Sequence, residues 1–347
     1  MLDFIVVGLG IAGWSFVRLL QAHGHSFTVF DTGKENSTLA SAGLFNPVIL
    51  KRFTLAWKAT EWLPYALDIY RQFEKENPGQ QFVYFLPIYR KLASVAEQNE
   101  WLSTAGRPGF ERYMNGISRE NLPGIDAPYG YGVMKNTGII RTAALITALR
   151  RQLEKENLLH SEAFRHEQLH HHDDYVEYNG IKARRIVFAE GYGLKRNPFF
   201  GHLPLKGTKG QSIEVSLSQP VSPIVKSRIF LVPLPWKSLH LAGATYEWDD
   251  KSPYPTEKAR RQLREKLENL YRLPFEIKRQ RAGIRPTVID RRPLLGRHPV
   301  YKNLYVLNGM GTRGVILAPK SAAMLYDFIL HDKPLLPETN IERFEKG

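Results

Sequence analysis

The apolar run DFIVV leads straight into Gly8-Leu9-Gly10-Ile11-Ala12-Gly13, and the next apolar run, FTVF, ends at Asp31. Few local patterns restrict a fold as strongly. Residues 4–7 read as a buried strand. Ile11, Ala12, Phe16, Leu19 and Leu20 mark one face of a helix over 11–23, and residues 27–30 read as a second strand. Such a strand–helix–strand unit asks for a parallel pair with the helix crossing between. Gly8 permits the tight turn, Gly10 lets the backbone approach a pyrophosphate, and Gly13 lets the helix lie close on the strand. The helix N-terminus, with Ile11 and Ala12 in its first turn, offers free N–H groups and partial positive charge to phosphates. Asp31 is placed to accept from a ribose hydroxyl, and its charge disfavours a 2′-phosphate, which sets NADP aside. A dinucleotide is implied; NAD and FAD both stay open at this point.

The rest of the chain sets bounds on that reading. With 347 residues, 43% apolar and 12% aromatic, it can build a packed interior and is too long for one simple core, so two connected domains are expected. There are 0 cysteines, which excludes disulfides, thiolate metal sites, a cysteine nucleophile and a flavin tethered through sulfur. The net charge of +14 suits an anionic partner: a dinucleotide, a carboxylate substrate or nucleic acid. A solubilising surface accounts for it more simply. No stretch is apolar for long enough to span a bilayer, and the N-terminus lacks the basic region of a signal peptide, so a soluble, cytoplasmic protein is expected.

Helices are predicted over 55–76, where Pro64 should bend or break the pattern, over 95–103, 142–157 and 256–272, and again from near Pro319. Strand patterns fall at 81–90, in DYVEYNG and KARRIVFAEG, through the Pro- and Gly-punctuated segment 204–246, and in KNLYVLNGMG. The expected class is α/β: a Rossmann-like dinucleotide domain made of 1–75, 136–203 and 276–347, with an inserted β-rich α+β domain made of 76–135 and 204–275.

Several segments together resemble a known group. LASAGLFNP (39–47) is a small-residue loop after the acidic strand end; IVFAEGYG (186–193) is a strand ending in glycine; RAGIRPTVIDRRPLLG (281–296) holds an arginine between apolar residues and proline; LYVLNGMGTRGVILAPKSAAML (304–325) closes the domain. In this order they resemble the FAD-dependent amino-acid oxidase superfamily, which includes glycine, sarcosine and D-amino-acid oxidases. The resemblance implies non-covalent FAD, extended across the first domain. Gly8, Gly10, Ile11, Ala12, Gly13 and Asp31 would serve its ADP half, with Phe164 near the adenine. Ser41, Ala42, Gly43, Leu44, Ala189, Gly191, Gly309, Gly311, Thr312, Arg313, Gly314, Val315 and Ile316 would serve the pyrophosphate or the flavin. A helix beginning near Pro319 would point its positive end at the flavin.

The resemblance also implies a reaction: oxidation of a C–N bond of an amino acid or secondary amine by hydride transfer to flavin, with oxygen or another acceptor restoring the cofactor. Arg285, in AGIRP, would grip the substrate carboxylate with two parallel charge-assisted bonds. Arg313, in GTRG, is the second candidate for substrate or flavin. Relatives often carry a tyrosine on the substrate wall where RIFLVP places Phe230; losing that hydroxyl forfeits a hydrogen bond worth about 1–3 kcal/mol if its partner is left unsatisfied. Tyr246, in GATYEWDD, could compensate or simply pack. Two alternatives stand beside this reading. A similar FAD domain trims a side chain on tRNA wobble uridine, and the basic helix EKARRQLREK would suit RNA. A flavin-holding module without turnover is the other.

The stretch HEQLH (166–170), followed by His171, His172, Asp173 and Asp174, matches a zinc-helix pattern literally. It falls between a finished helix and a hairpin, so a strand and exposed turn are expected, with His166 and His170 too far apart for one metal and Glu167 without a catalytic role. No metal site is expected.

Overall fold

A computed structural model describes residues 1–34 and 36–344; the last three residues of the division assigned to 276–347 lie outside it. The opening unit forms as its spacing predicts. β1 (Leu2–Val7), α1 (Ile11–Ala22) and β2 (Phe27–Phe30) follow one another, and β1 and β2 pair in parallel from Phe4–Phe27 to Val7–Phe30. All of β2 and the last four residues of β1 are buried, as parallel strands covered on both faces should be.

The other edge of β1 pairs in parallel with Ile181–Phe188, which pairs in parallel with Leu304–Asn308. Leu159–His160 continues the sheet beyond β2, and Leu294–Arg297 closes the far edge antiparallel. The chain thus leaves β1 in both directions. A crevice opens at such a switch point, above the carboxyl ends of the strands.

One face of this sheet carries α1 and the helices Ala59–Glu76, Thr142–Lys155 and Gly314–His331, whose buried residues form a single core. Trp14 is central to it, meeting the edge of Phe73 at 5.3 Å and the Tyr70 ring at 5.4 Å. The opposite face is covered by the hairpin Leu169–His171/Val176–Tyr178 and by Leu194, Phe200 and Leu203.

A second sheet has eight strands in the order 275–285, 208–217, 239–243, 230–234, 224–226, 88–91, 131–134, 114–118. Helix Val95–Ala105 packs on one of its faces through Trp101, and helix Glu257–Glu268 on the other through Leu263 and Leu267. Phe275–Arg285 pairs along its length with Thr208–Leu217, so residues 276–285 belong with this sheet rather than with the first, where the sequence division put them. The chain rejoins the first sheet at Leu294.

Two helices depart from expectation at their starts. The first long one begins at Ala59, because Thr54–Leu55 is already paired with Val48–Ile49, and it runs unbroken through Pro64. The last begins at Gly314, with Pro319 inside it rather than opening it. A proline there removes the N–H that would bond the Val315 carbonyl. The Tyr70 hydroxyl supplies the missing donor at 3.0 Å. Burial pushes that phenol far above its ordinary value, so it stays protonated and able to donate.

Tyr70→Phe leaves a buried carbonyl without its donor and should cost about 1–3 kcal/mol. A thermal melt should therefore shift down by several degrees; an unshifted melt would show that Val315 is satisfied some other way. No helix among the described residues is long and apolar enough to cross a membrane.

Candidate active site

The glycine turn is packed where it should be and open where a ligand would come. A Cβ on Gly13 would lie 1.9 Å from the Gly8 carbonyl oxygen, and one on Gly8 would lie 2.6 Å from the Ala189 carbonyl. Ala189, at the end of the strand Ile181–Phe188, is therefore the floor of the turn. At Gly10 a Cβ would meet only Thr38 Oγ1, at 3.3 Å. The Ile11 N–H donates to that same hydroxyl at 3.1 Å, while the first-turn N–H groups of Ala12 and Gly13 have no intrahelical carbonyl to use.

Asp31 braces the turn from the neighbouring strand. Its Oδ2 accepts from the Leu9 N–H at 2.8 Å, and its Oδ1 accepts from the Gly33 N–H at 2.8 Å and from Arg150 Nη1 at 2.5 Å. Neither Thr38 nor Arg150 is signalled by the sequence; Arg150 reads there as one more charge on a solvated helix face. Replacing Asp31 with alanine removes the brace, together with the carboxylate expected to accept from a ribose. The purified variant should lose FAD on extensive dialysis, and full occupancy would count against a ribose role.

The second loop closes on the same crevice. Gly43 adopts φ +67°, and a Cβ on it would lie 1.8 Å from the Ile140 carbonyl; its N–H donates to Ser41 Oγ at 2.9 Å. Ala42 and Leu44 pack toward the second sheet's core. Arg313 Nη1 donates to the Asn46 carbonyl at 2.8 Å, tying this loop to the turn that opens the last helix.

In that third turn Asn308 acts as a clamp: its Nδ2 donates to the Gly191 carbonyl at 2.9 Å and its Oδ1 accepts from the Gly309 N–H at 2.7 Å. Gly191 and Gly311 face open space, and Thr312 is exposed beside Gly311. A Cβ on Gly314 would lie 2.9 Å from Ile11 Cγ2, so the starts of α1 and of the last helix abut; Val315 and Ile316 are buried there. Open positions at Gly191 and Gly311, a Gly10 crowded only by the Thr38 hydroxyl, and two adjacent positive helix ends fit an extended dinucleotide with an anionic middle. Phe164 lies deeper: one face of its ring stacks on Tyr178 at 4.0 Å and it meets Phe30 edge-on at 5.6 Å.

On the substrate side, Arg285 ends the strand Phe275–Arg285 with its guanidinium against Gly210. Among the described residues it makes only long bonds to the Thr245 carbonyl, 3.4 and 3.5 Å, and its Cζ lies 4.6 Å from the centre of the Tyr246 ring. Burial pulls both Arg285 and Arg313 below the ordinary guanidinium value, and the Tyr246 phenol opposes this at each, so the three groups share one neighbourhood. Among the described residues, neither arginine has a carboxylate partner.

Tyr246 is 65% exposed and so is not a core residue. It is held by a strap pinned on both sides: the Thr245 N–H donates to the Gln211 carbonyl at 3.0 Å, and Lys209 and Glu247 exchange backbone bonds at 2.9 Å. Lys209, 0% exposed, then pairs through Nζ with Asp250 at 2.6 Å. Phe230 stands apart, three strands from Arg285 across the sheet, paired with Gly243 and Lys226, with the Lys226 ammonium 4.8 Å from its ring centre.

The HEQLH stretch is one 3₁₀ turn, His166–Gln168, followed by the strand Leu169–His171. His166 Nε2 contacts Glu190 at 3.0 Å, and the His171 ring stacks on Tyr301 at 4.4 Å.

These features define an FAD-dependent oxidoreductase. The family model described as FAD dependent oxidoreductase, DAO, matches residues 3–327, and the chain belongs to that family. Its relatives include the glycine oxidase of Pseudomonas aeruginosa, 25% identical over 96% of each chain. The tRNA 5-methylaminomethyl-2-thiouridine biosynthesis bifunctional protein MnmC of Burkholderia thailandensis is also 25% identical, over 93% of this chain; the match spans 56% of MnmC. Among solved structures, glycine oxidase from Bacillus cereus superposes with a TM-score of 0.79 at 18% identity over 96% of each chain. Iminodiacetate oxidase from Chelativorans sp. BNC1 superposes with 0.78 at 16% identity, over 97% of this chain and 99% of that one.

Proposed function

We propose that the chain oxidises the C–N bond of a small amino acid or secondary amine, and that Arg285 grips the substrate carboxylate. The observation that carries this reading is the state of Arg285: a largely buried guanidinium beside Tyr246, whose phenol also acts on Arg313, with long bonds to one carbonyl and no carboxylate of its own among the described residues. A desolvated cation of this kind is stabilised by a bidentate anion, and the guanidinium fork sets that anion's orientation. Bound FAD supplies the two-electron acceptor for the C–H bond next to nitrogen.

The chain's own contribution is placement. Arg285 fixes the carboxylate end, and the strap holds Tyr246 over the guanidinium. Two nearby positive charges also disfavour an ammonium, so they help keep the substrate nitrogen neutral, the form from which the C–N bond is oxidised. The names of two proteins compared above, glycine oxidase and iminodiacetate oxidase, refer to amines that bear carboxylates. That agrees with the chemistry of Arg285.

The deciding experiment is an anaerobic visible spectrum during additions of glycine, sarcosine, D-amino acids and proline. Bleaching of the flavin by one of them would establish the reaction and its substrate class. A flavin that none of them bleaches would remove this reading and leave the larger-substrate and non-catalytic alternatives. Peroxide release on readmitting air separates an oxidase from an enzyme that uses another acceptor.

A further inference from the structure

The second sheet brings two basic runs side by side. Strands Ile88–Lys91 and Ile224–Lys226 are parallel neighbours with Lys226 opposite Arg90, so Arg90-Lys91 and Lys226-Ser227-Arg228 leave the sheet together. The end of helix Glu257–Glu268 approaches the same spot. Between them lies a cavity of about 250 Å³ lined by Lys91, Ser227, Arg228, Lys266, Asn269 and Leu270. We propose that this cavity binds a small phosphate-bearing anion, at a site separate from the dinucleotide crevice.

The charge balance is one-sided. Three of the six lining residues are cationic and none is acidic. None of those three cations makes an ion pair among the described residues. Three acids on neighbouring elements are engaged elsewhere: Glu97 holds Arg90, Glu120 accepts from the Tyr89 hydroxyl at 2.7 Å, and Glu268 pairs with Arg264 at 3.0 Å; the exposed Glu265, next to Lys266, is not among the lining residues. Lys226, just before the lining Ser227, adds to the excess. Its half-buried ammonium is pushed down to about 8 by burial and by the charges of Arg90 and Lys266. Like charges gathered this closely work against folding unless an anion offsets them.

Shape and residue type narrow the ligand. The volume falls just below the roughly 300–1,000 Å³ of sites for drug-sized molecules, so a compact anion is indicated. Two of the three lining cations are lysines, compact point charges suited to phosphate oxygens. Ser227 and Asn269 add hydrogen-bonding groups, and Leu270 offers an apolar contact for a small organic substituent.

The test is calorimetric titration of pyrophosphate into the FAD-loaded protein at constant ionic strength, with the dinucleotide crevice already filled. One saturable site is expected, weakened at least tenfold by K266Q and by K91Q but less than twofold by R261Q, an exposed control on the same helix. All three variants should keep their flavin. Glycerol phosphate and a short oligonucleotide are titrated in parallel, and binding of glycerol phosphate or pyrophosphate in preference to the oligonucleotide supports the site. A heat that never saturates, equal losses in R261Q, affinity unchanged in both K266Q and K91Q, or binding of the oligonucleotide alone would each overturn it. None of these outcomes depends on amine oxidation.

Discussion

Arg285→Leu should retain FAD and lose about 10²–10³-fold in kcat/KM toward carboxylate-bearing amines, since removing one partner of a buried charge pair costs roughly 2–5 kcal/mol. The cofactor should survive because Arg285 sits on the second sheet, against Gly210 and Tyr246, and makes no contact with the glycine turn or with Asp31. The loss should fall unevenly across substrates. An amine without a carboxylate never used the guanidinium and should be oxidised no worse by the variant than by the parent chain. Equal losses on both kinds of amine would point to a disturbed sheet, and unchanged kinetics would take Arg285 out of the site.

Gly13→Val should abolish cofactor binding and damage folding. The added Cβ would stand 1.9 Å from the Gly8 carbonyl oxygen and 3.0 Å from its carbon, with Ala189 Cβ next at 3.5 Å. Nothing flexible is available to move aside: relief requires α1 to back away from the turn, which takes Trp14 and Phe16 out of the core. Overpacking a tight core ordinarily costs about 1–3 kcal/mol, and here the obstacle is backbone, so the upper end or beyond is expected. Gly116→Ala is the control, since nothing lies within 4 Å of its Cβ position. The flavin absorbance per mole of purified protein should be near zero for the valine variant and unchanged for the control. A yellow, stable Gly13→Val protein would mean that α1 does not pack as described.

What was legible in the sequence was local. The glycine spacing, the apolar runs and Asp31 lie in one short stretch, where periodicity alone fixes strand, helix and strand, and the structure follows them closely. Arg285 and Tyr246 were each visible as candidates, but their contact depends on how the strap 244–256 folds back onto Lys209 and Gln211. Arg150, Thr38, Asn308 and Tyr70 act through partners far away in sequence, and no local pattern marks such residues.

The start of the last helix shows the limit well. Proline favours a first turn, so Pro319 suggested one, and the tyrosine that relieves it inside the helix sits on a different helix. Phe230 shows the opposite case: its segment stands out in the sequence, yet the strand order separates it from Arg285 by two intervening strands.

The order of strands has a consequence for synthesis. A chain leaving the ribosome presents the glycine turn, α1 and Asp31 almost at once, but the strand Ile181–Phe188 waits for its outer neighbour until Leu304–Asn308 has been made. The second sheet completes earlier, when Arg285 emerges. The unit begun first is therefore finished last, and in the interval one apolar parallel edge stands without its partner, the kind of edge that invites mispairing. The Gly309–Ile316 turn follows that last strand, so a nascent chain stalled after Arg285 has all the strands of the second sheet but lacks both the outer partner of Ile181–Phe188 and this turn.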